Sequence, residues 1–326
     1  MQNLLRTALI LLGAFLLAAP FVLSAYPRTL VTEMLIFGLF AMAIDVLAGV
    51  AGRTPLGHGA IFGVGAYVVA YIIAVKGGDP WGAALMGVLG ATLLAALFGA
   101  LAVRTSGVYF LLLTLAQGMI VWGVCYRWTS VTGAENGIRG VARPPLIEDP
   151  VVFYYFVLAV VAVLSLAIWR FVRSPFGLAL RGIRESSTRM RTLGYNVPLM
   201  LTIGFTVSGF FAGVAGVLLV FLNNFVSPNT VALSQSVEGL LMVILGGVGT
   251  LWGGYVGAAV IIALENLVSL YTERWASILG LMFILVMLFA PEGLVGKARI
   301  LLARRSLARS EASEPHNILS RRKGTS

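Results

Sequence analysis

Apolar runs alternate with short polar breaks along almost the whole chain. Runs long enough to cross a bilayer fall at 7–25, 29–50, 55–75, 81–103, 106–127, 151–171, 198–222, 250–270 and 275–290, because a helix needs about 20 apolar residues to span the hydrocarbon core. The run at 234–248 is shorter and glycine-rich. It reads either as a tenth span or as a half-helix, which would make 234–270 a re-entrant or broken pair. The pattern predicts an all-α, polytopic transmembrane bundle of about ten spans over residues 1–296. A basic tail should follow over 297–326, disordered past about Arg309. Arg6 precedes the first apolar run, which is read as a retained span rather than a cleaved signal peptide.

Composition agrees with this reading. The chain is 59% hydrophobic and only 11% charged, where a soluble domain carries about 25% charged residues. The formal net charge of +10 is unevenly placed. Residues 173–196 hold five arginines against Glu185, the tail holds eight basic residues against two acids, and the remainder balances. The positive-inside rule puts both basic segments in the cytoplasm. An even number of crossings between them satisfies that placement with both termini inside and 128–150 outside. Because these charges sit beside membrane spans, nucleic acid is not the expected partner.

Residues 173–196 form the longest strongly polar interruption. Pro175 and Gly177 open it, and Gly194 and Pro198 close it, which predicts one short helix over Leu178–Leu193. A basic helix between spans can orient the chain, anchor to lipid headgroups, or dock a cytoplasmic partner. Gly182 costs helix stability at mid-helix, about 1 kcal/mol relative to alanine. A close approach to a partner would explain it.

Glycine also recurs inside the spans. Gly209/Gly213 and Gly253/Gly257 are small-xxx-small pairs that allow close helix packing. Gly246, Gly247 and Gly249 lie in a denser cluster, predicted to break a helix and line a pathway. His58, Gly59, Thr114 and Gln117 are further pathway candidates, although interhelical contacts would equally explain His58 and Gln117. Glu33, Asp45, Glu238 and Glu265 lie in or near the apolar runs, mostly toward span ends. For Asp45 the expectation is snorkelling or a structural hydrogen bond.

The single cysteine, Cys125, excludes an intrachain disulfide, and the two histidines exclude a histidine cluster. No phosphate loop, H-E-x-x-H or G-x-S-x-G is present. No catalytic residue, metal site or cofactor is therefore expected.

Five motifs come in a telling order: P-L-G-H-G-A-I-F-G-V-G-A-Y (55–67), S-G-V-Y-F-L-L-L-T-L-A (106–116), T-G-A-E-N-G-I (132–138), S-P-F-G-L-A-L-R-G-I-R-E (174–185) with L-G-Y-N-V (193–197), and L-G-G-V-G-T-L-W-G-G-Y-V-G-A (245–258). Together they resemble the permease subunit of high-affinity branched-chain amino acid ABC importers, on the larger permease branch. The resemblance covers about 30–296, and urea and amide importers share the pattern. Gly254 stands where a proline is expected, and Ala134–Glu135 where relatives often carry Gly-Ser. Both departures bear on substrate rather than family.

The resemblance implies an inner-membrane subunit that pairs with a second permease. It implies two cytoplasmic ATPase subunits and a periplasmic binding protein as further partners. It also implies that Leu178, Arg181, Gly182, Ile183, Arg184, Glu185, Arg189 and Gly194 belong to a loop inserted into an ATPase cleft. The competing classes are an ion-coupled secondary transporter, which needs acids at mid-membrane, and an integral membrane enzyme.

Overall fold

The computed structural model describes residues 13–269, 277–278, 280–281, 284–285, 288 and 292–297. The tail beyond Lys297, the start of the first expected span and most of the span expected at 275–290 lie outside these residues.

Twelve helices run along the chain from residue 13 to 269: α1 (Gly13–Val22), α2 (Ala25–Asp45), α3 (His58–Ala70), α4 (Pro80–Ala102), α5 (Val108–Arg127), the single turn α6 (Thr129–Thr132), α7 (Pro150–Arg173), α8 (Pro175–Glu185), α9 (Ser187–Thr192), α10 (Val197–Asn223), α11 (Leu233–Gly246) and α12 (Gly253–Ser269). Wider π-helical turns extend α2 over Val46–Ala51 and α3 over Tyr71–Val75. Among the described residues, six helices have the length and apolarity to cross a membrane: α2, α3, α4, α5, α7 and α10. Their bounds fall within a few residues of the expected runs. The protein is an all-α, multi-pass membrane protein.

Several starts obey one rule. Asp79 accepts the Gly82 N–H at 2.7 Å and Asp149 accepts the Val151 N–H at 2.7 Å, each with proline next in the chain. Ser174 and Asn196 cap α8 and α10 in the same way, again with proline in the first turn. A side-chain acceptor satisfies an orphan donor, and proline gives up an N–H that would have had no partner.

Packing explains the small residues. Along α4, Ala83, Gly87, Ala91, Ala95 and Gly99 repeat every fourth position and are buried, while Leu85, Leu89, Leu93, Leu97 and Leu101 form the exposed face. Gly209 and Gly213 of α10 lie against Ala95 and Ala91, and Gly216 lies against the Phe62 carbonyl of α3. Lipid is as apolar as leucine, so close van der Waals approach rather than burial from water holds these helices together.

The bundle has two dissimilar ends. At one, β1 (Ile138–Arg139) pairs antiparallel with β2 (Phe225–Val226). Arg143 donates there to the carbonyls of Phe221 (2.6 Å) and Leu222 (2.9 Å), so a cation closes the C-terminal end of α10. Burial lowers the pKa of that guanidinium from its usual value. At the other end lie the α8–α9 segment, the 103–107 link and the turn between α11 and α12. From the β1–β2 end the chain descends through a 3-10 turn, Pro228–Val231, whose Thr230 and Val231 pack on Gly63 of α3. Only then does α11 begin. Its 14 residues make about 21 Å at 1.5 Å per residue, short of the roughly 30 Å core. The 234–248 run therefore forms a helix too short to cross that core by itself.

Gly216→Ala should overpack the α3–α10 contact and cost about 1–3 kcal/mol, seen as a lower melting temperature in detergent. Gly123→Ala, where nothing lies within 4 Å of the added methyl, should leave melting unchanged or raise it.

Candidate functional site

The polar segment at 173–196 is a helical hairpin. Ser174 receives the Gly177 N–H at 3.4 Å and donates to the Phe171 carbonyl at 2.7 Å. A side chain at Gly177 would run into the Val172 and Phe171 carbonyls, so the reversal out of α7 requires glycine. The expected single helix over Leu178–Leu193 is two helices. Ser186 is extended, with φ −159° and ψ 99°, and its hydroxyl accepts the Arg189 N–H at 3.2 Å to start α9.

The break folds α9 back on α8, with Met190 buried against Gly182. This corrects the reading of Gly182. Its missing side chain makes room for Met190 within the chain, not for a partner. Ala179, Leu180 and Ile183 face inward, with Leu180 on Gly204 of α10. Leu178, Arg181, Glu185, Arg189, Leu193, Gly194 and Tyr195 are exposed. Gly194 takes φ +87° at the exit turn, which glycine permits at no steric cost.

Arg184 leaves the hairpin and crosses to α2, where its guanidinium donates to the Gly49 carbonyl. The neighbouring Arg53 donates to the Thr105 carbonyl at 2.8 Å. Burial first, and then the positive charge of Arg191, lowers the pKa of Arg53. An open cavity of about 320 Å³ lies between Arg53, Ser106, Arg184 and Ser187.

The glycine-rich turn lies beside this. Gly247, Gly249 and Leu251 all take positive φ, at +113°, +81° and +59°. Asp45, only 1% exposed, accepts the Gly249 N–H at 2.7 Å and the Leu251 N–H at 2.9 Å. Its role is thus the structural hydrogen bond and not snorkelling. Gly246 lies against Gly253, and Gly257 against the Met242 carbonyl, which closes α11 and α12 into a pair.

His58, Gly59, Thr114 and Gln117 gather where α3 begins. The irregular, non-helical residues 52–57 lead into α3, and Thr114 accepts the Leu56 N–H at 3.0 Å. Gly59 donates to Ser236 of α11 at 2.8 Å, and Gln117 donates to the Phe98 carbonyl at 3.3 Å. His58 is fully buried, with Nε2 2.8 Å from the Ser208 hydroxyl. That hydroxyl gives its only proton to the Ala43 carbonyl at 2.6 Å, so His58 carries its proton on Nε2. His58, Gly59 and Gln117 make contacts between helices, and Thr114 holds the segment that leads into α3.

Glu33 lies in the first half of α2, Glu238 in the first half of α11 and Glu265 near the end of α12, and the charges of Glu265 and Glu33 act on Glu238. No group of three metal-ligating side chains occurs among the described residues.

A multi-pass bundle with a polar hairpin at one end and a glycine-rich break between α11 and α12 beside it defines a polytopic membrane protein. The profile of the family described as branched-chain amino acid transport system / permease component matches residues 26–290, and the chain belongs to that family. It is 30% identical over 230 residues to the high-affinity branched-chain amino acid transport system permease protein LivM of Salmonella typhimurium, covering 62% of this chain and 54% of that protein. It is 28% identical over 148 residues to LivH of the same organism, covering 44% and 47%. It is 25% identical over 187 residues to the autoinducer 2 import system permease protein LsrC of Klebsiella pneumoniae, covering 55% and 53%. The chain spans about half the length of the relatives it matches. No solved structure matches it.

Gly182→Trp should break the α8–α9 hairpin from within, and limited proteolysis of the detergent-purified chain should then cut between residues 186 and 194. Arg181→Glu, on the exposed face, should leave the cleavage pattern unchanged.

Proposed function

We propose that the chain is a transmembrane permease subunit of an ABC importer in the cell inner membrane, working with a second permease, two cytoplasmic ATPase subunits and a periplasmic binding protein. Branched-chain amino acids or chemically related small molecules are the substrate class, a reading supported by the names of the relatives and by the family. The hairpin carries the proposal. Its exposed face combines Leu178, Leu193 and Tyr195 with Arg181 and Arg189. A segment serving only to orient the chain needs the charges but not the exposed apolar side chains. Apolar anchors ringed by arginine suit a protein cleft, where arginine can pair with carboxylates in bidentate geometry.

In this reading the permease has two states, and the ATPases bias them through the hairpin. Nucleotide closes the ATPase pair, the hairpins follow, and the spans exchange inward access for outward access. The chain supplies no chemistry of its own. Gly247 and Gly249 belong to the part that rearranges, where positive φ values let the backbone turn sharply between α11 and α12. His58, Gly59, Thr114 and Gln117 flank the start of α3 and are proposed to border the path. Both termini and 173–196 are assigned to the cytoplasm, and 128–150 to the outside.

One observation favours a second reading. Glu33, Glu238 and Glu265, three acids on apolar helices whose charges act on one another, are a feature that an ion-coupled transporter would use.

The deciding experiment reconstitutes the chain in liposomes with and without its partners. Alone it should neither hydrolyse ATP nor accumulate labelled amino acid. With ATPases, second permease and binding protein it should accumulate substrate only with ATP, and Arg181→Glu should release the ATPases or reduce stimulated hydrolysis at least fivefold. Accumulation by the chain alone under a proton or sodium gradient would overturn the importer reading. In a background lacking Cys125, a cysteine at position 187 should be labelled from the cytoplasm and one at 140 from outside.

A further inference from the structure

Three backbones meet at one point near the hairpin end. The α2 helix changes to a π-helical turn directly after Asp45, running Val46–Ala51 and closing on Gly52 at φ +68°. Such turns leave carbonyls off the regular ladder and recur at functional sites. Within this one, Gly49 has no room for a side chain. A methyl there would fall on the Asp45 carboxylate and on the backbone of Gly249. The glycine-rich turn therefore rests directly on the α2 backbone, held by the two N–H bonds to Asp45. Beside the turn, Arg184 donates to the carbonyl of that same Gly49, with a nitrogen 3.8 Å from where a Gly249 side chain would begin. Its guanidinium also lies close enough to Asp45 for the two charges to interact.

The charge at position 45 calls for explanation. A buried carboxylate in an apolar span is costly without a counter-charge. A neutral acceptor could bond the turn at lower cost, although a carboxylate holds it more strongly and so stabilises the left-handed Leu251. Arg184, itself largely exposed, makes no direct ion pair with Asp45, but its charge acts on that carboxylate across Gly49. Withdrawing the hairpin alone would strip the Gly49 carbonyl of its donor and leave the buried carboxylate uncompensated. Moving hairpin and turn together avoids both costs.

We propose that Asp45 and Arg184 are positioning residues forming a clamp across Gly49, which locks the α8–α9 hairpin to the 247–252 turn so that the two move as one body. The proposal rests on the reading of the hairpin as the ATPase-docking element, and it supplies the route by which hairpin displacement reaches the α11–α12 pair. Arg184 is then a transmitting residue and not a surface contact for the ATPase.

The test uses the assembled transporter with Asp45→Asn, Arg184→Gln, Arg184→Lys and the Asn/Gln double variant, and it needs two readouts. The first is substrate moved per ATP hydrolysed, normalised to folded complex. Asp45→Asn and Arg184→Gln should each lower it at least fivefold while the ATPases still co-purify. The double variant should be no worse than the poorer single variant, because anion and counter-charge leave together. Arg184→Lys, which keeps a donor and a charge, should recover at least half of the parent value. The second readout is amide exchange at Gly249 and Leu251 in the purified full-length chain, which needs no partner. Arg184→Gln should accelerate it at least fivefold.

Unchanged exchange in Arg184→Gln, or single-variant losses that multiply in the double variant, would overturn the clamp. So would losses that only follow the amount of folded complex. If exchange accelerates but even the parent chain fails to retain ATPases, the docking reading fails and the clamp stands.

Discussion

Breaking a helix at membrane depth frees backbone N–H and C=O groups that lipid cannot satisfy, at several kcal/mol for each group left bare. This constraint organises the structure. Where residues 52–57 leave the helix before α3, Thr114 takes the Leu56 N–H. Where α11 passes the start of α3, Ser236 takes the Gly59 N–H. In the turn between α11 and α12, Asp45 takes two N–H groups, and Thr250 links the Gly247 carbonyl to the Gly253 N–H. At the far end Arg143 closes α10. These polar side chains thus mark places where the chain departs from continuous helix. Those departures are also where a permease needs an alternative geometry.

Small residues are the second requirement. Broken segments fit between helices only because Gly63 admits Thr230 and Val231, Gly49 admits Gly249, and Gly246 admits Gly253. The contacts among α3, α4 and α10 use the same device, through the four-residue repeat of alanine and glycine on α4. The stretch from α11 to α12 is short, interrupted and tied to the hairpin end through α2.

Much of this was legible in the sequence. Six spans could be placed within a few residues because lipid demands long apolar runs and the breaks carry Asp, Ser or Asn beside proline. The shortness of α11 could be suspected from the length of the 234–248 run, but the 3-10 turn that leads into it could not, since the segment before it has no strong pattern. The hairpin was read as a single helix, although Ser186–Ser187–Thr188 is a cluster of capping residues that could have marked the break. The mistaken partner for Gly182 followed from that, because Met190 reaches Gly182 only when α9 folds back. Asp45 was recognised as an acid within an apolar run, but its bonds go to residues more than 200 positions away, which no local pattern encodes. That the charges of Glu265 and Glu33 act on Glu238 was hidden for the same reason.

The account turns on the hairpin and the glycine-rich turn behaving as one body, and a distance measurement addresses that directly. Spin labels at positions 189 and 252, both on exposed residues, would be placed in a background lacking Cys125 and measured by pulsed electron resonance in the assembled transporter. The distance distribution should be the same without nucleotide and with ATP bound, while a label pair joining position 189 to position 140 should shift between the two states. A 189–252 distance that changes with nucleotide in the otherwise unaltered protein would contradict the account.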